Sequence, residues 1–161
     1  MSKGIVRVYY GEGHGKSTTA FGTAVREMAK GKSVTMISFM REKSEESEEL
    51  FKRFEPNLKF FRFEKLAGSF KELTQEEKDE EAMNLRNGFN YGKKVISTAA
   101  SDILILDGVL DLVEHEIVLE DVFLEIFSVI PEDMTVICTG RKISDNIKGA
   151  ADEVYQVTLE K

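Results

Sequence analysis

The sequence has few of the residues that build disulfide frameworks or metal cages. Its 161 residues include one cysteine, Cys138, and two histidines, His14 and His115, and they include no tryptophan. A disulfide within the chain and a zinc site made of cysteines are therefore excluded, and a histidine-rich metal centre is not expected. A lone cysteine fits a reducing compartment, and the N-terminal residues lack the apolar core of a signal peptide. We therefore expect a cytoplasmic protein.

Long apolar runs and excess positive charge are also missing. No stretch reaches the about 18 apolar residues of a membrane span. The 22 lysines and arginines are outnumbered by 29 aspartates and glutamates, which gives a net charge of −7. Because backbone phosphates are bound by clustered basic residues, nucleic acid is not an expected partner, and neither is a membrane. The length suits one domain that spans residues 1–161.

Apolar strand-like runs alternate with amphipathic segments along the whole chain. Strands are predicted over residues 4–10, 34–40, 58–63, 102–107, 134–138 and 154–159. Helices are predicted over residues 17–28, as a short exposed segment within 42–54, from 74 onward, over 119–130 and, weakly, over 142–151. Thr74 and Glu77 form the spacing of a capping box at the start of the long helix, which follows an irregular loop over 64–73. This alternation predicts a three-layer α/β/α fold with a mostly parallel sheet.

Three polar clusters follow predicted strands: residues 11–17, Asp107 and residues 139–141. In open parallel sheets, ligands bind beyond the carboxyl ends of the strands. Because these clusters occupy such ends, we expect them to meet in one site.

The first cluster resembles a phosphate-binding loop between a strand and a helix. The pattern requires Gly, four residues, then Gly-Lys-Ser/Thr, and here Tyr10 stands in the first glycine position. Glycines allow the backbone to turn amides toward an anion, Lys16 adds a mobile positive charge, and the Ser17 hydroxyl can ligate Mg²⁺. The alternative is a glycine-rich turn without a ligand. The predicted nucleotide-binding residues of this loop are Gly11, Glu12, Gly13, His14, Gly15, Lys16, Ser17 and Thr18.

Other charged residues extend this predicted site. Asp107 follows a buried run and would hold the Mg²⁺ shell directly or through water, with Ser17 as the other metal-site residue; the alternative is a strand-ending cap. Arg141 can bind phosphate with two parallel hydrogen bonds or be a solvated loop residue. Spacing alone favours a surface position for Arg26.

Five segments together resemble the ATP:corrinoid adenosyltransferase family. Residues 9–22 (YYGEGHGKSTTAFG) are similar to the family's loop, which also lacks the leading glycine. Residues 38–41 (SFMR) resemble its Gln-Phe-hydrophobic-Lys strand end, and residues 106–108 (LDG) its Leu-Asp-Glu. Residues 139–141 (TGR) match its Thr-Gly-Arg, and residues 151–154 (ADEV) resemble its Ala-Asp-hydrophobic-hydrophobic close. The likeness covers almost the whole chain in the same order.

This resemblance implies a P-loop NTPase-like (RecA-like) fold and an enzyme that uses ATP, Mg²⁺ and a corrinoid. It implies transfer of the 5′-deoxyadenosyl group of ATP to Co(I) of the corrinoid, with release of triphosphate, in adenosylcobalamin biosynthesis or salvage. Lys16, Asp107 and Arg141 would then be catalytic, Arg26 and Arg141 would lie near the nucleotide, and Phe70, within residues 67–73, would contact the corrinoid. The implied partners are a second copy of the chain, as a homodimer, and a flavoprotein reductant.

The sequence departs from the family at three places. Gly108 replaces a metal-site glutamate, His14 replaces a lysine, and Ser17 replaces a threonine. The chain also lacks the Phe-Thr-Trp segment and the tail of longer members, so it resembles the short branch. Two alternatives follow: an ATP-binding member that has lost catalysis, motivated by Gly108, and a small P-loop kinase or ATPase.

Overall fold

The computed structural model describes residues 3–161 and contains one six-stranded parallel sheet. The strand order is β3-β2-β4-β5-β1-β6. The strands are β1 (Ile5–Tyr10), β2 (Val34–Ser38), β3 (Leu58–Arg62), β4 (Ile103–Asp107), β5 (Thr135–Gly140) and β6 (Glu153–Gln156). Every neighbouring pair is parallel, so all strands end at the same edge of the sheet.

Within residues 3–161, six helices connect the strands. They are α1 (Lys16–Met28), α2 (Glu45–Lys52), α3 (Gln75–Thr98), α4 (Val109–Glu114), α5 (Glu120–Glu125) and α6 (Asp145–Ala150). Short 3₁₀ turns cover Phe70–Glu72 and Ile126–Ser128. Thr74 caps α3 in a complete capping box with Glu77, and Ser44 and Ser144 cap α2 and α6 through their side chains.

Two apolar cores lie on opposite faces of the sheet, which makes the fold three-layered. Alternate residues of each strand point to opposite faces, so in β4 Leu104 belongs to one core while Ile105 belongs to the other. The larger core packs the sheet against α3 and the segments that follow β4. The smaller core packs it against α1, with Phe51 of α2 at its margin.

The predicted fold class is confirmed, with small differences at the element ends. The helix α4 was not predicted, and the segment predicted as one helix over 119–130 is α5 followed by a 3₁₀ turn. The last strand ends at Gln156 and not at Leu159. In the part of the chain that the structure describes, no helix combines the length and the apolarity needed to cross a membrane.

Candidate nucleotide site

The ends of four neighbouring strands form the floor of the candidate site. Tyr10 of β1 is level with Gly140 of β5, and Ser38 of β2 is level with Asp107 of β4. The three polar clusters that follow these strands therefore lie side by side, as the sequence analysis predicted. The Phe39 amide also donates to the Asp107 carbonyl oxygen at 2.8 Å, which ties the two chain segments together beyond the strand ends.

The glycine loop is hydrogen-bonded to the end of β5 and to the segment after β6. The Gly11 amide donates to the Gly140 carbonyl oxygen at 3.1 Å, and the Gly13 amide donates to that of Val157 at 3.2 Å. A side chain on Gly11, where φ is +134°, would overlap the Val157 carbonyl. This differs from the expectation that all three glycines aim amides at an anion. Gly11 and Gly13 donate their amides within the protein and shape the loop, whereas the amides at the start of α1 are donors for an anion.

Removing the segment that supports the loop is a direct test of its role. A chain truncated after Gln156 loses the Val157 contacts to Tyr10 and Gly13 but keeps every strand. We expect it to fold and to bind ATP about three- to tenfold more weakly, because the loop is then less well organised before binding. Calorimetric titration with ATP measures this. A chain truncated after Thr158 keeps both contacts and is the control; equal affinities for the two would contradict this role.

Lys16 lies inside the loop and folds back onto it. Its side chain is 9% exposed, and Nζ donates to the Gly13 carbonyl oxygen at 2.6 Å. Burial lowers the pKa of Lys16 from its ordinary value, and the nearby Arg41 guanidinium lowers it further, while Asp111 and Glu12 act in the opposite direction. The ammonium group is therefore short of negative partners, and an anion in the loop would supply them.

Asp107 is the centre of a hydrogen-bond network at the end of β4. It is 3% exposed, and its Oδ1 accepts the Ser17 hydroxyl at 2.7 Å and the Thr139 hydroxyl at 2.8 Å. Its Oδ2 forms an ion pair with Arg41 Nε at 3.1 Å. The Thr139 oxygen in turn accepts the Gly108 amide at 2.8 Å, so the network joins four chain segments.

The chemistry of these groups fits Mg²⁺ bound in part by a nucleotide. The Ser17 hydroxyl directs its proton at Asp107, which leaves its oxygen lone pairs free for a cation. Within the described residues, three or more His, Cys, Asp or Glu side chains nowhere group in a way that could hold a metal. Mg²⁺ keeps several waters and is commonly held by one or two protein groups plus phosphate oxygens, which matches Ser17 and Asp107.

Gly108 adopts a conformation that favours glycine. It stands between β4 and α4 with φ of +89°, and a Cβ atom there would overlap the Phe39 carbonyl oxygen. A carboxylate at position 108 is thus incompatible with this backbone. The next carboxylate along α4 is Asp111, which accepts the Arg141 amide at 3.1 Å through Oδ1. Burial raises the pKa of Asp111, whereas the hydrogen bond from Arg141 lowers it.

Comparison with known proteins identifies the family of this chain. Residues 2–161 match the sequence profile described as ATP:corrinoid adenosyltransferase BtuR/CobO/CobP. The chain belongs to this family. It is 28% identical over 155 residues to the corrinoid adenosyltransferase of Escherichia coli K12, covering 96% of this chain and 76% of that one. It is 24% identical over 160 residues to that of Pseudomonas aeruginosa, covering 99% and 77% of the two chains.

A solved structure supports the fold assignment. The crystal structure of a KaiC-like protein from Pyrococcus horikoshii superimposes with a TM-score of 0.61 at 17% identity, covering 98% of this chain and 74% of that chain. This likeness concerns the fold alone. It agrees with the predicted RecA-like arrangement of this adenosyltransferase family member.

The remaining residues predicted in the loop line its outer side. Glu12, His14 and Thr18 are exposed. Glu12 forms an ion pair of 3.6 Å with Arg141, so the predicted phosphate-binding arginine lies at the mouth of the loop with an acidic partner. Gly15 begins α1 with φ of +103° and faces open space, which leaves room for a ligand over the helix start.

Two predicted residues lie away from this cluster. Arg26 is exposed in the last turn of α1, about 15 Å along the helix from Lys16. Phe70 lies on the 3₁₀ turn before α3, where its ring is 6.4 Å from that of His115 and 5.9 Å from Lys78 Nζ. The structure does not bring either residue to the loop, and their roles stay predictions.

Arg41 and Asp111 join the site without having been assigned to it from the sequence. Arg41 lies in the segment 38–41 that carried the family resemblance, which was the available signal. Asp111 lies on the unpredicted helix α4 and had no such signal. Beside Ser17 and Asp107, a cavity of about 700 Å³ opens between α1, α2 and the ends of β2 and β3. Its apolar wall includes Phe21, Phe51 and Phe60.

Proposed function

We propose that this protein transfers the 5′-deoxyadenosyl group of ATP to the Co(I) centre of a reduced corrinoid and releases triphosphate. The observation that carries the proposal is the Ser17–Asp107–Thr139 network beside Lys16 at the mouth of the glycine loop. Family membership supports the adenosyltransferase class. The aromatic wall of the adjacent cavity supports a place for the adenosine, because purine and phenyl rings stack favourably.

The reaction needs no catalytic base on the protein. The cobalt electron pair forms a bond to C5′, the C5′–O bond breaks, and its electron pair leaves with the triphosphate. The protein's contribution is to position the reactants and to stabilise the negative charge of the leaving group. Preorganised donors of this kind typically contribute about 10²–10³-fold each to the rate.

Three cations surround the position proposed for the triphosphate. Lys16 would exchange the Gly13 carbonyl oxygen for phosphate oxygens. Arg141 would likewise give up its weak ion pair with Glu12 and bind phosphate oxygens. Arg41, now paired with Asp107, would share that carboxylate with the nucleotide-bound cation. Ser17, with Asp107 through water, would hold Mg²⁺, which supplies further charge neutralisation to the triphosphate.

An anaerobic assay tests the proposal. Protein, MgATP and a chemically reduced corrinoid are mixed, the Co(I) absorbance is followed, and the nucleotide products are separated. We expect a light-sensitive cobalt–carbon product and one triphosphate per product. ADP and phosphate without a cobalt product would instead indicate a kinase or ATPase. Tight ATP binding without any turnover would indicate a catalytically inactive nucleotide-binding member of the family.

A further inference from the structure

Two carboxylates are buried behind the site, on the far side of Arg41. Glu64 follows β3 and is 7% exposed, and Glu81 in α3 is 2% exposed. Within residues 3–161, neither carboxylate forms a hydrogen bond or an ion pair with the glycine loop or with Asp107. Buried carboxylates are costly unless they are hydrogen-bonded, so their partners indicate what they do.

Glu64 holds the turn that follows β2. Its Oε1 accepts the Met40 amide at 2.9 Å. Met40 has φ of +55°, a left-handed conformation that is unfavourable for a non-glycine residue. The carboxylate therefore supports a turn that the chain does not favour by itself.

Arg62 holds the same turn from its carbonyl side. Its Nη2 donates to the Arg41 carbonyl oxygen at 3.1 Å and to that of Leu66 at 2.8 Å, while Nη1 donates to the Glu64 carbonyl oxygen at 2.8 Å. The turn is thus fixed at the Met40 amide by Glu64 and at the Arg41 carbonyl by Arg62. The Arg41 side chain leaves this fixed point and reaches Asp107 at 3.1 Å.

We infer that Glu64 and Arg62 are positioning residues that hold the Met40–Arg41 turn so that the Arg41 guanidinium stands at Asp107 and at the triphosphate. The inference rests on the proposed function for the identity of the ligand. An arginine on an unsupported loop would lose more conformational freedom when it binds. Glu64 and Arg62 therefore raise the affinity for the nucleotide without contacting the nucleotide themselves.

Glu81 provides a matched control. Its Oε1 accepts the Lys65 amide at 3.0 Å and the Asn84 side-chain amide at 2.8 Å, and its Oε2 accepts the Leu66 amide at 3.3 Å. It is buried as deeply as Glu64 and bonds to the same segment after β3. It makes no hydrogen bond to Met40 or Arg41, so its loss disturbs the segment but not the turn.

The same contacts predict a pH dependence. The pKa of Glu64 is raised to about 7, chiefly by burial and to a smaller extent by the charge of Glu81, while the Arg62 charge and the Met40 amide act in the opposite direction. Above that pH the ionised carboxylate accepts the Met40 amide as a charged acceptor, and below it the neutral acid accepts that amide more weakly. The contribution of Glu64 to the stability of the fold has the opposite pH dependence. Because the pKa in the fold lies above the ordinary value, Glu64 stabilises the fold most at low pH and loses that contribution as pH rises toward 7.

The test compares ATP affinity in Glu64→Ala, Arg41→Ala, the double variant and Glu81→Gln by calorimetry at pH 8. We expect Glu64→Ala and Arg41→Ala each to weaken MgATP binding about tenfold, and the double variant to bind no more weakly than Arg41→Ala. Glu81→Gln should bind as the unmodified protein does. Glu64→Gln keeps an acceptor for the Met40 amide and should recover most of the affinity for MgATP. Because its side chain does not titrate, its affinity should not change between pH 6 and 8.

Additive losses in the double variant, or equal losses in Glu81→Gln, would overturn the inference. Hydrogen exchange of the peptide around residues 40–42 gives a readout that does not need ATP. Glu64→Ala should exchange faster there than Glu81→Gln, and equal rates would also refute the inference. If the unmodified protein binds no ATP, the proposed function fails, while the exchange experiment still decides whether Glu64 holds the turn.

Discussion

Replacing Gly108 with alanine is expected to destabilise the protein by about 2–5 kcal/mol. The left-handed backbone contributes about 1–2 kcal/mol of this. The overlap of the new Cβ with the Phe39 carbonyl oxygen contributes about 1–3 kcal/mol, because Phe39 is fully buried and its backbone is tied to Asp107. Glutamate at this position should be at least as harmful as alanine.

Gly31 offers a matched control for this prediction. It has the same φ of +89° as Gly108, but a Cβ there meets nothing within 4 Å. Gly31→Ala should therefore cost only the backbone part, about 1–2 kcal/mol. Urea unfolding of the two variants measures the difference. Equal losses would show that the Phe39 contact is not the cause and that the turn can relax.

This expectation changes how the family's missing glutamate is understood. From the sequence alone, Gly108 is interpreted as the loss of a metal ligand, and restoring the glutamate would be the natural test of that interpretation. In this backbone the substitution would damage the turn before it could supply a carboxylate. The carboxylates that the structure places next to this turn are Asp107 at the end of β4 and Asp111 in the first turn of α4.

The fold was predictable because its signals are local. Thr74 and Glu77 announce the start of α3, and the uninterrupted apolar run of β4 is typical of a buried parallel strand. Helix α4 was missed because it has six residues and begins at a glycine with no side-chain cap. The last strand was predicted too long because Val157 turns its carbonyl toward Gly13 and not along the sheet.

The site was predictable only where its residues lie in one contiguous motif or at strand ends. Lys16, Ser17 and Asp107 were found in this way. Arg41 and Asp107 are far apart in the chain and meet because β2 and β4 are neighbours in the sheet. Glu64 reaches Met40 across the β2–β3 pair in the same manner. No spacing in the sequence encodes such contacts, so sequence patterns alone could not predict them.

The second large effect is expected for Asp107→Asn, which should abolish most of the gain in ATP affinity that Mg²⁺ provides. The amide keeps the shape and one acceptor oxygen for Ser17 and Thr139, but it removes the negative charge beside the cation and the partner of Arg41. We expect MgATP to bind about 10- to 100-fold more weakly, because a buried charge-assisted contact is lost. ATP with Mg²⁺ chelated should bind as well as before or better, since a carboxylate near the triphosphate repels it.

Asp111→Asn decides which carboxylate acts on the metal. Asp111 lies close enough to influence the Lys16 pKa, but its oxygen accepts the Arg141 amide and does not touch Ser17. If Asp107 and Ser17 hold the Mg²⁺, Asp111→Asn should leave the ratio of ATP affinities with and without Mg²⁺ nearly unchanged. Calorimetry with and without a chelator measures that ratio. A collapse of the ratio in Asp111→Asn alone would move the metal to the α4 side of the site. Since position 108 cannot hold a carboxylate in this turn, Asp111 would then take the place of the glutamate that other family members carry there.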